Sequence, residues 1–346
     1  MINTGETIDH TDFINQSERD ATPANDAGRV PKLESDGKIH RDFLPVKFGG
    51  DGSDGALAVS SGNTNIDLGG ASFFVKNYSS ISITGTGSIT FINPHANGTV
   101  IVIKCKGDCS LTSSATPMID ASGCGGNGGG GGTEPDTSDT NHGSNGSNGI
   151  TPVLTTVAGQ GSSTATAGTK PTSFLFSITY ISNQLLKWKY PYMWTGSGGG
   201  GGSALHGGSA GGTVLGGIGG KGGGSLIMEV GGAWNFTTTN GISVAGKNGN
   251  VGSGTTASYL AGGGGGGGGG QFLAFVNSII ANTGTINKSG GIGANSFGNY
   301  SITYGGGGGA SGINNGNNGG ASANGAKSGG DGGVGDSLVS LNTEFV

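Results

Sequence analysis

The densest grouping of side chains able to make specific contacts is "LLKWKYPYMW", residues 185–194. Trp188, Tyr190, Tyr192 and Trp194 alternate along it, so an extended segment places all four rings on one face, with Lys187 and Lys189 on the other. Two readings stay open. Such a face can cover the end of a packed body or a seam between subunits. It can also form a platform for sugar rings, where aromatic area supplies contact and the polar tips supply direction. On the second reading Trp188, Tyr190, Tyr192 and Trp194 are the candidate ligand-binding residues. The stretch from Glu134 to His142 is a second recognition candidate, because exposed polar loops on a rigid scaffold commonly carry binding.

Reaction chemistry finds little support. Polysaccharide cleavage needs two carboxylates held several ångströms apart. After residue 140 the acids are Glu229, Asp331, Asp336 and Glu344, and no two share an evident strand face. Asp51, Asp54, Asp67, Asp108 and Asp120 are scattered among glycine and serine, and His10, His40, His95, His142 and His206 do not cluster. No G-x-S-x-G elbow stands in a strand-turn-helix context, and glycine-loop motifs arise by chance in this composition without a helix to follow. No catalytic residue is assigned, and neither an enzyme nor a cofactor is expected. "GGDGSDGAL", residues 49–57, matches half of a calcium nonapeptide repeat, a site that needs successive copies to complete its oxygen shell. The single copy reads as a glycine turn, and no metal site is assigned. Cys105 and Cys109 flank "KGD", where a tight turn makes a disulfide conceivable. The odd third cysteine, Cys124, favours free, small apolar side chains instead.

The elements that must position these residues are unusual in composition. Glycine supplies 81 of 346 residues, a fraction that by itself points to low complexity. A net charge of only −5 and compact apolar runs at 99–103, 173–181, 226–230 and 272–276 argue for a packed body instead. The acidic balance argues against nucleic-acid binding. No apolar run approaches the roughly 20 residues of a membrane span, and the first residues lack the basic and apolar regions of a signal peptide, so none is expected.

Charge is concentrated in residues 1–45, which hold nine Asp/Glu and five Lys/Arg. The leader is too short to own a core and is expected to attach the body to a sister subunit or to another protein. Three divisions follow: a charged attachment leader at 1–45, a β-strand domain at 46–125, and a glycine-rich body at 126–346.

An internal repeat organises the body. Copies start at Gly98 ("GTVIVIKCKGD"), Gly224 ("GSLIMEVGGAW") and Gly270 ("GQFLAFVNSII"), the last two 46 residues apart. Each opens with an apolar strand, continues through a second short strand of the form x-I-x-V/A-x-G, and enters glycine. A further strand pair at 71–93 precedes the first copy, and no stretch has a 3.6-residue apolar period. The body is expected to be all-β.

Glycine runs recur at 128–132, 198–202, 262–270 and 305–309. Flexible spacers are one reading. The other is the extended threefold polyglycine II helix, in which absent side chains let backbones touch and bond sideways; nine residues then make a rod about 28 Å long. Ordering nine glycines costs at least roughly 10–20 kcal/mol, against about 1 kcal/mol net per hydrogen bond. One rod alone melts, whereas a bundle clamped by apolar strands can hold.

The glycine runs between apolar strands resemble the glycine-rich tips and adhesins of bacteriophage tail fibres. The repeats "NGISVAGKNG" and "NTGTINKSGG" are similar to those of glycine-rich surface proteins with β-helix-like repeats, and "GRVPKLESDGKI" is similar to segments near the start of phage fibre proteins. The resemblance implies stacked β-helix-like or sandwich strands interleaved with packed polyglycine II helices. It also implies self-association as a homo-oligomer, a trimer or a fibre, attachment to another virion or surface protein through residues 1–45, a virion location in a tail or fibre, and recognition of a host surface glycan or protein. The longer and more numerous strands of this chain favour a mixed β body over a simple glycine sandwich. A self-assembling extracellular fibre or sheath subunit is the alternative role.

Overall fold

A computed structural model of the chain describes residues 48–134, 143–144, 195–206, 213–254, 259–297, 305–309 and 328–341. Among the described residues there are strands and no helix, as the absence of a 3.6-residue period requires.

The main body is a stack of tiers, each sending one strand path up an upper sheet and returning through a lower one. The first tier is β1 (Ala56–Val59) and β2 (Asn63–Asp67), and the second is β3 (Phe73–Tyr78), β4 (Ser80–Ile83) and β5 (Ser88–Ile92). The third is β6 (Val100–Cys105), β7 (Cys109–Leu111) and β8 (Ile119–Asp120). Four short strands intervene away from the stack: β9 (Thr133–Glu134), β10 (Gly143–Ser144), β11 (Ala204–His206) and β12 (Val214–Leu215). The fourth tier is β13 (Ser225–Phe236) and β14 (Ile242–Ser243). After β15 (Ser253–Gly254) and β16 (Tyr259–Ala261) comes the fifth, β17 (Gln271–Asn282) and β18 (Ile286–Asn287), and finally a half tier, β19 (Asp336–Leu341).

Successive tiers pair in parallel and in register. Phe73, Val100, Ser225, Gln271 and Asp336 stand level in the upper sheet, and Ile89, Ile119, Ile242 and Ile286 in the lower. The three sequence copies are therefore tiers three, four and five, and the strand pair ahead of them is tier two. Parallel neighbours need a long crossover, which each copy supplies through its return strand and the glycine that follows. The two sheets enclose one core, into which tier four sends Leu226, Met228, Val230, Trp234, Phe236 and Ile242. The alternate residues Ile227 and Leu273 are also fully buried, on the opposite sheet face. Burial on both faces explains why β13 and β17 read as unbroken apolar runs rather than alternating ones.

Below the sheets the glycine-rich stretches continue the strands. Their hydrogen bonding repeats every third residue. In the run 262–270, Gly262, Gly265 and Gly268 donate to Ser203, Gly200 and Ser197. Gly264, Gly267 and Gly270 donate to Asn250, Lys247 and Val244, and Gly266 and Gly269 donate to Gly330 and Gly333. The carbonyls of the same run accept from Gly217, Gly220 and Gly223, from Gly306 and Gly309, and from Gly291 and Ala294. One run is thus bonded to six neighbours: 195–203, 216–224, 244–252, 288–294, 305–309 and 328–335. Those six close a ring, each bonded to the next, and the stretch 125–132 packs outside against 195–203 and 216–224. A β-strand offers two edge directions, whereas a backbone that returns to one direction every third residue offers three donor and three acceptor directions.

Glycine frequency follows the number of sides covered. Along 244–252 the glycines Gly246, Gly249 and Gly252 face the central run, where a Cβ would strike the carbonyls of Gly267 and Gly264 and the Ala261 methyl. Lys247, Asn248, Asn250 and Val251 between them are exposed. Along 216–224 two residues in three are glycine, and the thirds, Ile218 and Lys221, are exposed. Along 262–270 every position is glycine because side chains would strike on three sides: Gly266 toward Gly291, Gly267 toward Lys221, and Gly265 toward Gly307.

Candidate functional site

The sequence places three kinds of candidate: the aromatic quartet, the polar stretch 134–142, and the acids and thiols. Trp188, Tyr190, Tyr192 and Trp194 lie outside the described residues, as does the stretch 135–142. The backbone of Glu134, from which that stretch departs, is described. It ends β9 at the far end of the glycine bundle, opposite the β stack, where Glu134 pairs with Val214 and Thr133 with Leu215.

This far end is a distinct small structure. β12 lies between β9 and β15, and β11 lies between β10 and β16, all antiparallel. The two three-stranded sheets sit over Ala204, Val214 and Ala261, with Phe297 packed against them, and Ala261 and Phe297 exchange backbone hydrogen bonds of 3.1 and 2.8 Å. Residues flanking the stretches 135–142, 207–212, 255–258 and 298–304 converge here: Glu134, His206, Thr213, Gly254, Tyr259 and Phe297. The hydrogen-bonded glycine-rich stretches hold these described flanking residues side by side.

The acids do another job. Asp51 accepts from the Ser53 N–H (2.9 Å), Asp67 from Gly69 (2.8 Å), Asp120 from Ser122 (2.8 Å), and Asp108 from Ala233 on the next tier (2.8 Å). Asp331 reaches Gly293 N–H at 2.8 Å across the bundle. Asp54 accepts the Asn77 N–H at 2.6 Å and the Lys76 ammonium at 2.8 Å. Glu229 pairs with Lys104, its neighbour in register on β6, at 3.2 Å, and Lys288 approaches Asp336 at 3.5 Å. These carboxylates pin turns and tie tiers together.

In "GGDGSDGAL" the glycines Gly49, Gly50, Gly52 and Gly55 all take φ between 76° and 82°, a left-handed conformation costly for other residues. The Asn77 N–H, then the Lys76 ammonium, hold Asp54 below the ordinary carboxylate range, and the Ser53 N–H does the same for Asp51. The segment is the glycine turn read from the sequence. Among the described residues no group of three or more His, Cys, Asp or Glu has a metal-binding arrangement.

Cys105, Cys109 and Cys124 are free and buried. Burial pushes Cys105 up to about 11 and Cys124 up to about 12, and Cys109 well above its ordinary value. Cys105 Sγ lies 3.3 Å from the carbonyls of both Gly107 and Asp108, so its hydrogen lies within the turn.

Sequence reasoning missed the far-end sheets and the Lys104–Glu229 tie. Setting "VIVIK" over "LIMEV" would have exposed the tie, because the repeat fixes which residues face each other. The far-end strands are two or three residues long and carry no periodic signal. Compared with family models, with curated proteins and with solved structures, the chain matches none.

Proposed function

We propose that the chain is a non-enzymatic component of a virion tail or fibre that contributes to recognition of a host surface glycan or protein. The observation that carries this reading is that described residues flanking four stretches, 135–142, 207–212, 255–258 and 298–304, come together at the far end of the glycine bundle. Backbone amides and carbonyls already engaged with one another discriminate poorly among ligands. Discrimination then falls to side chains on the non-glycine segments: first the aromatic quartet Trp188, Tyr190, Tyr192 and Trp194, which precedes Thr195 beside Gly98 at the β-stack end of the bundle, and second the stretch 134–142, which leaves from the far end.

On the same reading the glycine stretches are packed polyglycine II helices and the tiered body is β-helix-like. The three-residue recurrence of donors and the ring of six neighbours around 262–270 support the first. The parallel, in-register tiers support the second. A second reading, a self-assembling extracellular fibre or sheath subunit, draws on the strand edges left open at both ends of the stack.

The experiment is host-cell binding by the paired substitution Trp188→Ala and Trp194→Ala. Aromatic anchors at a recognition surface typically cost over 1 kcal/mol each when truncated, so binding should fall at least tenfold while circular dichroism and melting stay at wild-type values. A variant that melts early makes these residues core. One that binds normally moves recognition to 134–142.

A further inference from the structure

The two ends of the tiered stack are incomplete in complementary ways. At the last tier β19 pairs with Gln271–Val276 of β17. The second half of β17, from Ser278 to Asn282, and all of β18 then have no outer partner among the described residues. At the first tier the reverse holds: β1 covers β4 and β2 covers β5, while among the described residues no strand covers β3 on that side. Ser53 and Asp54 bridge Tyr78 and Asn77, which leaves Phe73–Lys76 as the open stretch. Among the described residues, one end has an upper first half-strand without the rest of its tier, and the other has the rest without that half.

Exposure marks the same places. Ile280 is 72 % and Ile279 40 % exposed at one end, and Phe73 is 53 % and Val75 38 % exposed at the other. Ile279 stands in register with the fully buried Trp234, so it continues a core column that the missing half tier leaves uncovered. Through Cys109 and Ile81 that column reaches Leu57 on β1. Neither open stretch contains proline, and each end carries charges of both signs, Lys76 with Asp54 and Lys288 with Asp336.

We propose that copies of this chain stack head to tail through one shared tier, with β19 from one copy and β1 and β2 from the next. In that joint β19 lies along Phe73–Lys76 of the next copy, β1 covers Ser278–Asn282, and β2 covers β18. All pairings are parallel, as throughout the stack, and Leu57 of one copy stands level with Ile279 of its neighbour. The contact is heterologous and does not close on itself, so it builds an open filament. The first two tiers carry no glycine bundle, which leaves room between successive bundles along the filament.

The test uses the full chain in a dilution series, read by sedimentation, together with site-directed cross-linking. Chains carrying Leu57→Cys mixed with chains carrying Ile279→Cys should join through a short bis-maleimide into two-chain products, while either alone gives none. A double variant should give a ladder. Val251→Cys, on the exposed side of the bundle, serves as the control and should give no two-chain product. Wild-type chains should grow with concentration, and Ile280→Lys, at an exposed position, should keep the fold and lose the growth. A monomer at every concentration overturns the proposal. So does a closed oligomer without the 57–279 link, or cross-linking as frequent at Val251→Cys, which marks unspecific aggregation.

Discussion

Burial of the three thiols sets a measurable dependence on pH. In the folded chain Cys105 keeps its proton until about pH 11 and Cys124 until about pH 12, with Cys109 well raised, all from an ordinary value of 9.0. Desolvation of the thiolate is the first cause in each case. Above pH 9 the unfolded chain therefore releases protons that the folded chain retains, so it binds fewer, and stability falls as pH rises. Below pH 9 the contribution is fully present. Each thiol adds at most about 1.4 kcal/mol per pH unit to the decline. Urea unfolding between pH 8 and 11 should show this slope, and Cys109→Ala should flatten it, whatever the cavity does to stability at pH 7.

At the scale of the glycine segments, the arrangement depends on missing Cβ atoms rather than on glycine's freedom of φ. Left-handed glycines are confined to turns such as Gly49–Gly55 and to bends such as Gly85 and Gly98; none of the glycines in 262–270 has a positive φ. A methyl at Gly266 would run into the carbonyl of Gly291, which is backbone and cannot rotate away. Gly266→Ala should therefore destabilise by about 3 kcal/mol, the upper end for overpacking, and more if the rods separate. Ile218→Ala, on the exposed third face of 216–224, should stay within about 0.5 kcal/mol of wild type. Equal effects of the two, measured by thermal or urea unfolding, would show that the rods do not touch.

Across the whole molecule, the stack and the bundle form one continuous construction. The run 216–224 passes without a linker into β13, 262–270 into β17, and 328–335 into β19. Polyglycine has no side chains with which to choose a partner or a register, so alignment must come from the strands it continues. Ser225 and Gln271 stand level at the junction, and Gly223 and Gly268 are accordingly bonded just below it. Such coupling makes unfolding of the rods inseparable from unfolding of the sheets. Hydrogen exchange of amides in 262–270 should be as slow as in Leu226–Val230 and should open with the same free energy. Rapid exchange in the glycine run beside a protected β13 would mean two independent units.

The division between sequence and structure follows from what side chains can specify. The apolar runs, the three repeat copies and the lack of helical periodicity determined an all-β body in which repeats lie side by side, because burying identical faces requires it. The glycine turn at 49–57 and the unpaired thiols were legible for the same local reasons. The number of glycines per triplet also carried information, one, two or three for increasingly enclosed segments, but it has meaning only once the neighbours are known. Tertiary structure alone decided which of the eight described glycine-rich stretches lies at the centre, which carboxylate closes which turn, and that β19 pairs with Gln271–Val276 of β17. Those outcomes depend on contacts between residues tens of positions apart, made by backbone groups that every residue shares, and a sequence of glycines cannot distinguish one such partner from another.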